Sequence, residues 1–361
     1  MGAVVRSTSL LPAIHRKYPG AALTWVTAKN SLSLLAENPL VDMVLSSSHE
    51  DLLKLRALKF DVAICVDKSL EAAGILKFTS YDELFGFTAD SITGAIVPAN
   101  SAAEELWRLG LDNPLKFFKN QKAETQLMHE AFELGPFQRD EYQLFLSAEE
   151  FRTAQLRREE WGQGNGGPII GFNTGCSSVI PMKRWTVDFH RRIILTLQNL
   201  GFSNLVLLGG AEDEARNQEI AEGFNIFNSP SRLGLRDGVC SVEACDIVIT
   251  GDSLGMHLAI ARAKYVVAWF GPTCSQEIDL YDRGSALSAD VSCGPCWKRS
   301  CQHEVMCYDS VSEAKIVASV RQGSEWLNRG KTLMTKVATN VPLAAKALVK
   351  VPIRVPNEQS L

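Results

Sequence analysis

The sequence has no apolar run long enough for a membrane-spanning helix. Such a span needs about 20 residues, and no stretch of the 361 approaches that. No apolar segment follows a charged start, so no secretory signal peptide is expected. Basic residues are not in excess. Lys and Arg number 37 against 41 Asp and Glu, a formal net charge of −4, which gives no electrostatic reason to expect nucleic acid as a partner. Self-similarity at solenoid periods is absent, which argues against a stacked-repeat architecture.

What remains is the composition of an ordinary globular protein, 46% hydrophobic and 22% charged, at a length comfortable for two domains. Cysteine is the exception. There are nine, an odd number, and four crowd into Cys293–Cys307. That points to a reduced compartment with a local metal or thiol site, not to a distributed disulfide framework.

Strand-like and helix-like segments alternate along the chain. In the first part the strands are Ala22–Thr27, Val41–Ser46 and Phe60–Val66, with helices over Asn30–Glu37 and Asp51–Leu58. The region from Glu83 to Asn120 is less regular and suggests an inserted hairpin and helix. A charged helix over 147–161 leads into "GQGNGGP" (162–168), a flexible boundary. The alternation then restarts with strands at 169–173, 204–210, 246–252 and 265–271. Such β–α alternation implies parallel sheets covered by helices. The expected fold is α/β, two Rossmann-like domains facing a cleft: 1–160, 161–330 with a Cys-rich loop at 293–307, and a C-terminal tail at 331–361. The tail carries "VPLAAKALVKVPIRVP", mildly amphipathic and basic, read as a helix packing back on a domain or a frayed end, with a membrane-surface contact as the less favoured alternative.

Three strands of the second half each run into a short polar loop and then a helix: "NTGCSSVIPMKRW" (173–185), "GGAEDE" (209–214) and "TGDSLGMH" (250–257). A loop of this kind presents backbone N–H groups to an anion, and in an open parallel sheet all three open at one carboxyl edge. Their contents suit a nucleoside diphosphate. Thr174, Gly175, Ser177 and Ser178 supply hydroxyls and close backbone approach, Lys183 a positive charge, and Ser253 and Gly255 sit where the third helix begins. Glu212, Asp213 and Glu214 can accept ribose hydroxyls, or simply favour a helix N-terminus. Asp252 can cap its helix, and His257 can be a packing histidine.

These stretches resemble glycosyltransferase family 9, the ADP-heptose:lipopolysaccharide heptosyltransferase group. "GDSLGMHLAIARAKYVVAWFGPT" (251–273) is the most specific part. "MKRWTVDFHRRII" (182–194), "RSTSLLPAIHRKYPGAALTWVT" (6–27) and "ENPLVDMVL" (37–45) are similar to further family segments, and the resemblance covers roughly 2–325. It implies the GT-B fold and inverting transfer of a sugar, typically heptose, from a nucleoside diphosphate to a lipid-linked glycan, with no catalytic metal. Ser177, Ser178 and Lys183 would hold the donor diphosphate. Asp252, Ser253, Leu254 and His257 would form the donor loop. The acid of the 212–214 cluster would meet the ribose, and the segment near Leu233 would flank the base. The implied partners are ADP-heptose and a lipopolysaccharide-core or related acceptor at the inner membrane surface. The implied location is cytoplasmic, peripheral to that membrane. In this sequence the donor loop reads Ser253–Leu254–Gly255, with the glycine shifted by one. A non-catalytic nucleotide-sugar-binding relative and a GT-B-fold nucleotide-sugar epimerase remain as alternatives.

The resemblance also implies a strand of about ten residues ahead of "MGAVVRSTSLLP", with an Asp as general base where Ala3 stands. The N-terminal domain is therefore expected to lack its first strand. Gly2 reads as a tight turn, and Ser7–Ser9 as caps of the following helix. Asp67, at the carboxyl edge of the same sheet, is the replacement base, or else a helix cap. "CGPCWKRSCQHEVMC" spaces Cys293, Cys296, Cys301 and Cys307 as C-x2-C-x4-C-x5-C, a pattern that can close a tetrahedron around zinc, with an iron–sulfur cluster, local disulfides or a reduced knuckle as alternatives.

Overall fold

The structure is a computed structural model that describes residues 1–163 and 166–340; the segment "VPLAAKALVKVPIRVP" lies outside the described residues. Eleven strands occur among them: β1 Thr24–Thr27, β2 Met43–Ser46, β3 Lys59–Cys65, β4 Ser80–Ala89, β5 Ile96–Pro98, β6 Ile170–Asn173, β7 Leu205–Leu208, β8 Phe227–Asn228, β9 Ile247–Gly251, β10 Tyr265–Phe270 and β11 Gly284–Ser288. The α-helices are α1 Gly2–Ser7, α2 Leu11–Lys17, α3 His49–Ala57, α4 Leu70–Phe78, α5 Glu104–Arg108, α6 Glu124–Ala131, α7 Ala148–Trp161, α8 Val187–Asn199, α9 Glu214–Ala221, α10 Leu235–Ala244, α11 Leu254–Ala261 and α12 Glu313–Asn340.

Strands β6 to β11 form one all-parallel sheet in the order β11-β10-β9-β6-β7-β8. Its central strands are short runs of Val, Ile, Leu and aromatics, and β7, β9 and β10 are buried along their whole length. This is what a sheet covered on both faces requires. The chain leaves β6 toward β7 and β8 on one side, then returns to lay β9, β10 and β11 on the other. The order therefore reverses between β6 and β9, and the crevice outside the carboxyl ends at such a reversal is where open α/β sheets bind ligands.

The N-terminal half is built differently. Its strands form two separate sheets, a parallel β1–β2 pair and a β3-β4-β5 sheet in which β4 and β5 are antiparallel. Among the described residues no strand pairs the second edge of β1 or of β3. Their side chains are correspondingly only half covered, intermediate throughout β1 and fully buried in β3 only at Cys65. The irregular stretch after Glu83 contains the expected hairpin and helix, as β4–β5 and α5.

The opening segment differs from the expectation. Gly2 starts α1 and makes no turn. Its lack of a side chain serves contact: a Cβ there would stand 2.7 Å from Cδ2 of His257 in α11. Ser7 and Ser9 do not cap a helix. Their hydroxyls donate back to the carbonyls of Ala3 (2.8 Å) and Arg6 (2.8 Å), the local competition that keeps serine out of most helix interiors. Val5 of α1, with Tyr142, Leu144 and Leu146 of the connecting segment, is buried in one cluster with Val248, Met256 and Ala268 of the second half. The two halves thus share a core. They are also tied by ion pairs of Arg139 with Asp279 (2.7 Å) and Asp282 (2.6 Å), and by Tyr281 donating to the Asp140 carbonyl (2.8 Å).

Candidate active site

The carboxyl ends of β6, β7 and β9 bring the three polar loops together at the reversal of strand order. Asn173, the last residue of β6, joins the first loop to the third. Its Nδ2 donates to the Gly175 carbonyl (3.0 Å), to Thr250 Oγ1 (3.3 Å) and to Ser253 Oγ (2.9 Å). Gly255 must be glycine for the same reason, because a Cβ there would meet Asn173 Oδ1 at 2.3 Å. The first and second loops meet at Gly175, where a Cβ would stand 2.1 Å from Asp213 Oδ2.

This packing sorts the residues singled out in the sequence. The Thr174 side chain is buried and its hydroxyl is committed to Asn217 and to the Leu208 carbonyl, so it turns away from the crevice. Asp213 is buried as well. It accepts from the Gly210 amide (3.0 Å), and burial, followed by the charge of Glu212 against the pull of the Gly210 bond, raises its pKa. It braces the loop from below, whereas Glu212 is exposed. Glu214 pairs with Arg232. Ser177 and Ser178, in the first loop, and Leu233, in the segment between β8 and α10, are exposed.

Lys183 and Asp252 stand together, Nζ 3.2 Å from Oδ2. Burial opposes ionisation of Asp252, but the charge of Lys183 outweighs it and the carboxyl sits below its ordinary range. Asp252 caps no helix: Ser253 is the N-cap of α11, and it makes no side-chain capping bond. His257 is buried with Nδ1 lacking a partner among the described residues. Burial, then the charge of Arg6, pushes its pKa well below the ordinary value, so the ring is neutral at neutral pH. Its ring stacks on Tyr142, centroids 6.0 Å apart.

The N-terminal half supplies residues that the sequence reading missed. Arg6 points from α1 to Glu124 of α6 at 2.7 Å. Its Nε is buried without a partner among the described residues. Burial works against its charge, and Glu124, Tyr142, Asp252 and Glu277 outweigh that and raise its pKa. Lys116 pairs with Glu277 at 3.3 Å across the cleft. Only the fold brings residues 6, 116, 124 and 277 together, and no local spacing announces them. Asp67 is exposed just beyond the carboxyl end of β3, and Ser69 is the side-chain cap of α4, accepting from the Ala72 amide (3.2 Å). The cap role is therefore filled without Asp67.

The four cysteines at 293–307 lie near one another: after burial, the neighbouring Cys296, Cys301 and Cys293 all raise the pKa of Cys307, to about 11. Among the described residues, however, no three His, Cys, Asp or Glu side chains converge to hold a metal ion. All nine cysteines are free thiols.

The model of the family described as glycosyltransferase family 9 (heptosyltransferase) matches residues 52–306. Lipopolysaccharide heptosyltransferase 2 of Salmonella typhimurium is 24% identical over 292 residues, 76% of this chain and 80% of that protein. Lipooligosaccharide heptosyltransferase 2 of Campylobacter jejuni is 27% identical over 169 residues, 44% of this chain. The chain spans about half the length, 52%, of that relative. Among solved structures, ADP-heptose lipopolysaccharide heptosyltransferase II of E. coli superposes with a TM-score of 0.65 at 20% identity, over 91% of this chain and 96% of that one. The shared fold is GT-B: two α/β halves facing a cleft.

Proposed function

We propose a reaction from one premise: the chain belongs to glycosyltransferase family 9. It transfers a heptose, with inversion, from ADP-heptose to a lipopolysaccharide-core or related glycan acceptor. One observation carries this reading, the meeting of three polar loops at the reversal of strand order with Lys183 and Asp252 side by side. The relatives named above, heptosyltransferases by their names, support it.

In this reading residues 161–330 bind the donor and 1–160 the acceptor, with 331–361 as a tail. Ser177, Ser178, the N-terminus of α11 at Ser253–Leu254 and Lys183 hold the diphosphate. They stabilise the charge that grows on it as the bond to the sugar breaks, without a metal. Glu212 receives the ribose hydroxyls and Leu233 flanks the adenine. Asp213, Thr174, Gly175 and Gly255 fix the loops, and neutral His257 packs behind Asp252. The acceptor hydroxyl needs a base from the opposite half. Ala3 cannot accept a proton, and Asp67 is free of capping duty, so Asp67 takes the proton as the acceptor oxygen attacks the anomeric carbon and ADP leaves. The acceptor is lipid-linked, and the protein works on the cytoplasmic side, peripheral to the inner membrane. A structural zinc on Cys293, Cys296, Cys301 and Cys307 suits their soft thiolates but requires side chains that do not converge in this structure to close around it, and it takes no part in transfer.

The test is incubation of the full chain with ADP-heptose and heptose-deficient core acceptors, products read by mass spectrometry and zinc measured on the same sample. Lys183→Ala should weaken ADP binding roughly tenfold or more, the scale of a lost charge-assisted contact. Asp67→Asn should abolish transfer while leaving ADP binding unchanged. No transfer to any such acceptor by a protein that binds ADP would overturn the reading.

A further inference from the structure

The loop that carries the four cysteines reaches out of its own half. It is rooted at the end of β10, where the amides of Cys296 (3.0 Å) and Trp297 (2.8 Å) both donate to the Pro272 carbonyl. Trp297 adopts φ +53°, a left-handed conformation that a bulky residue takes only when its surroundings enforce it. The residue is 40% exposed, so it is not a core aromatic of the second half. Lys116 Nζ stands over its ring, 4.0 Å from the centroid. Lys116 belongs to the single-turn segment Leu115–Lys119 of the first half, and the Ser275–Glu277 turn of the second half grips the same segment. Glu277 pairs with its ammonium at 3.3 Å. Gln276 donates to the carbonyls of Lys116 (3.2 Å) and Phe117 (3.1 Å).

We propose that Trp297 is a positioning residue: through its ring the cysteine-rich loop clasps Lys116 and sets the width of the cleft between the two halves. A cation over an indole face is the strongest common form of this contact. Here it joins an ion pair and the two hydrogen bonds that the Gln276 side chain donates to backbone carbonyls, all of which break if Leu115–Lys119 moves away from the second half. The folding of the cysteine loop is in this way transmitted to the cleft. The kinetic consequence rests on the transfer reaction above, since donor and acceptor are bound on opposite walls. The clasp itself does not.

Hydrogen exchange on the full chain tests it. Trp297→Ala should speed exchange of the Lys116 and Asn120 amides, which donate to Asp112 and Leu115, roughly three- to tenfold. Exchange in β9 and β10 should stay unchanged. Trp297→Phe should keep most of the protection, because a phenyl face also receives a cation. Lys116→Met should produce the mirror effect at the Cys296 and Trp297 amides, and it decides the matter if Trp297→Ala does not fold. In transfer assays Trp297→Ala should raise the acceptor KM roughly fivefold with ADP affinity unchanged, and Trp297→Phe should restore it. Unchanged exchange at 115–119, faster exchange spread through β9 and β10, or failure of Phe to restore would overturn the clasp. If the unaltered protein transfers nothing, the functional reading fails and the exchange results still judge the clasp.

Discussion

At Gly255 the crevice depends on a missing atom. A methyl group there would collide with Asn173 Oδ1 at 2.3 Å, and Asn173 is the residue that staples the first loop to the third. Gly255→Ala should therefore lower stability by about 1–3 kcal/mol, the ordinary cost of overpacking, read as a shift of the urea midpoint. Adding Asn173→Ala should return part of that loss, because the two sites are in contact and their effects do not add. In the sequence Gly255 is readable as the start of a helix, but its partner, 82 positions earlier, is not. The same limit applies to Thr174 and Asp213. Their residue types suit a ligand, and only the packing of β6 against β7 reveals that both are spent within the protein. Lys183 and Asp252 stand out in the sequence because each sits in a polar loop after an apolar strand. Arg6 and Lys116 do not, because nothing around them in the chain points to the cleft.

At the scale of elements, the two halves are covered to different degrees. Strands β9 and β10 are buried throughout, while β1 and β3 each keep an edge with no strand paired to it among the described residues. Amides of β1 and β3 should exchange faster than those of β9 and β10 by more than tenfold in native-state hydrogen exchange, since local opening scales with buried contact. Equal protection in both halves would contradict this. The four inner strands of the second half, β6, β7, β9 and β10, are legible because apolar, β-branched runs bounded by polar loops are a strong local signal; the edge strands β8 and β11 are not, because "FN" and "GSALS" carry no such run. The first half is less so. Asn30–Glu37 reads as a helix, but Lys29–Leu35 forms a 3-10 turn; Asn30, Ser31 and Ser33 compete locally for backbone partners. Helix ends fell within a few residues where a cap was readable, as at Ser147, which forms a capping box with Glu150.

For the molecule as a whole, buried histidines set the response to acid. His190 is fully enclosed, its Nδ1 2.8 Å from the Thr186 carbonyl, and burial pushes its pKa to about 3 from 6.5. Between these values the unfolded chain takes up a proton that the native state refuses. Stability is thus complete above about pH 6.5 and falls as the pH drops, by about 2 kcal/mol between pH 6.5 and 5 for this one residue. His257 shifts in the same direction. Urea midpoints at pH 7.5, 6 and 5 should fall in that order, and His190→Phe should flatten the slope. A constant midpoint would refute the assignment.

The shared core has a consequence for engineering and for descent. Val5 and the 142–146 segment fill space beneath β9 and α11, and Gly2 is fitted to His257. The halves are not interchangeable cassettes. A chimaera that takes its second half from a relative needs residues 1–7 and 139–147 from the same parent, so viable recombination breakpoints fall inside the first half and not at the glycine-rich seam.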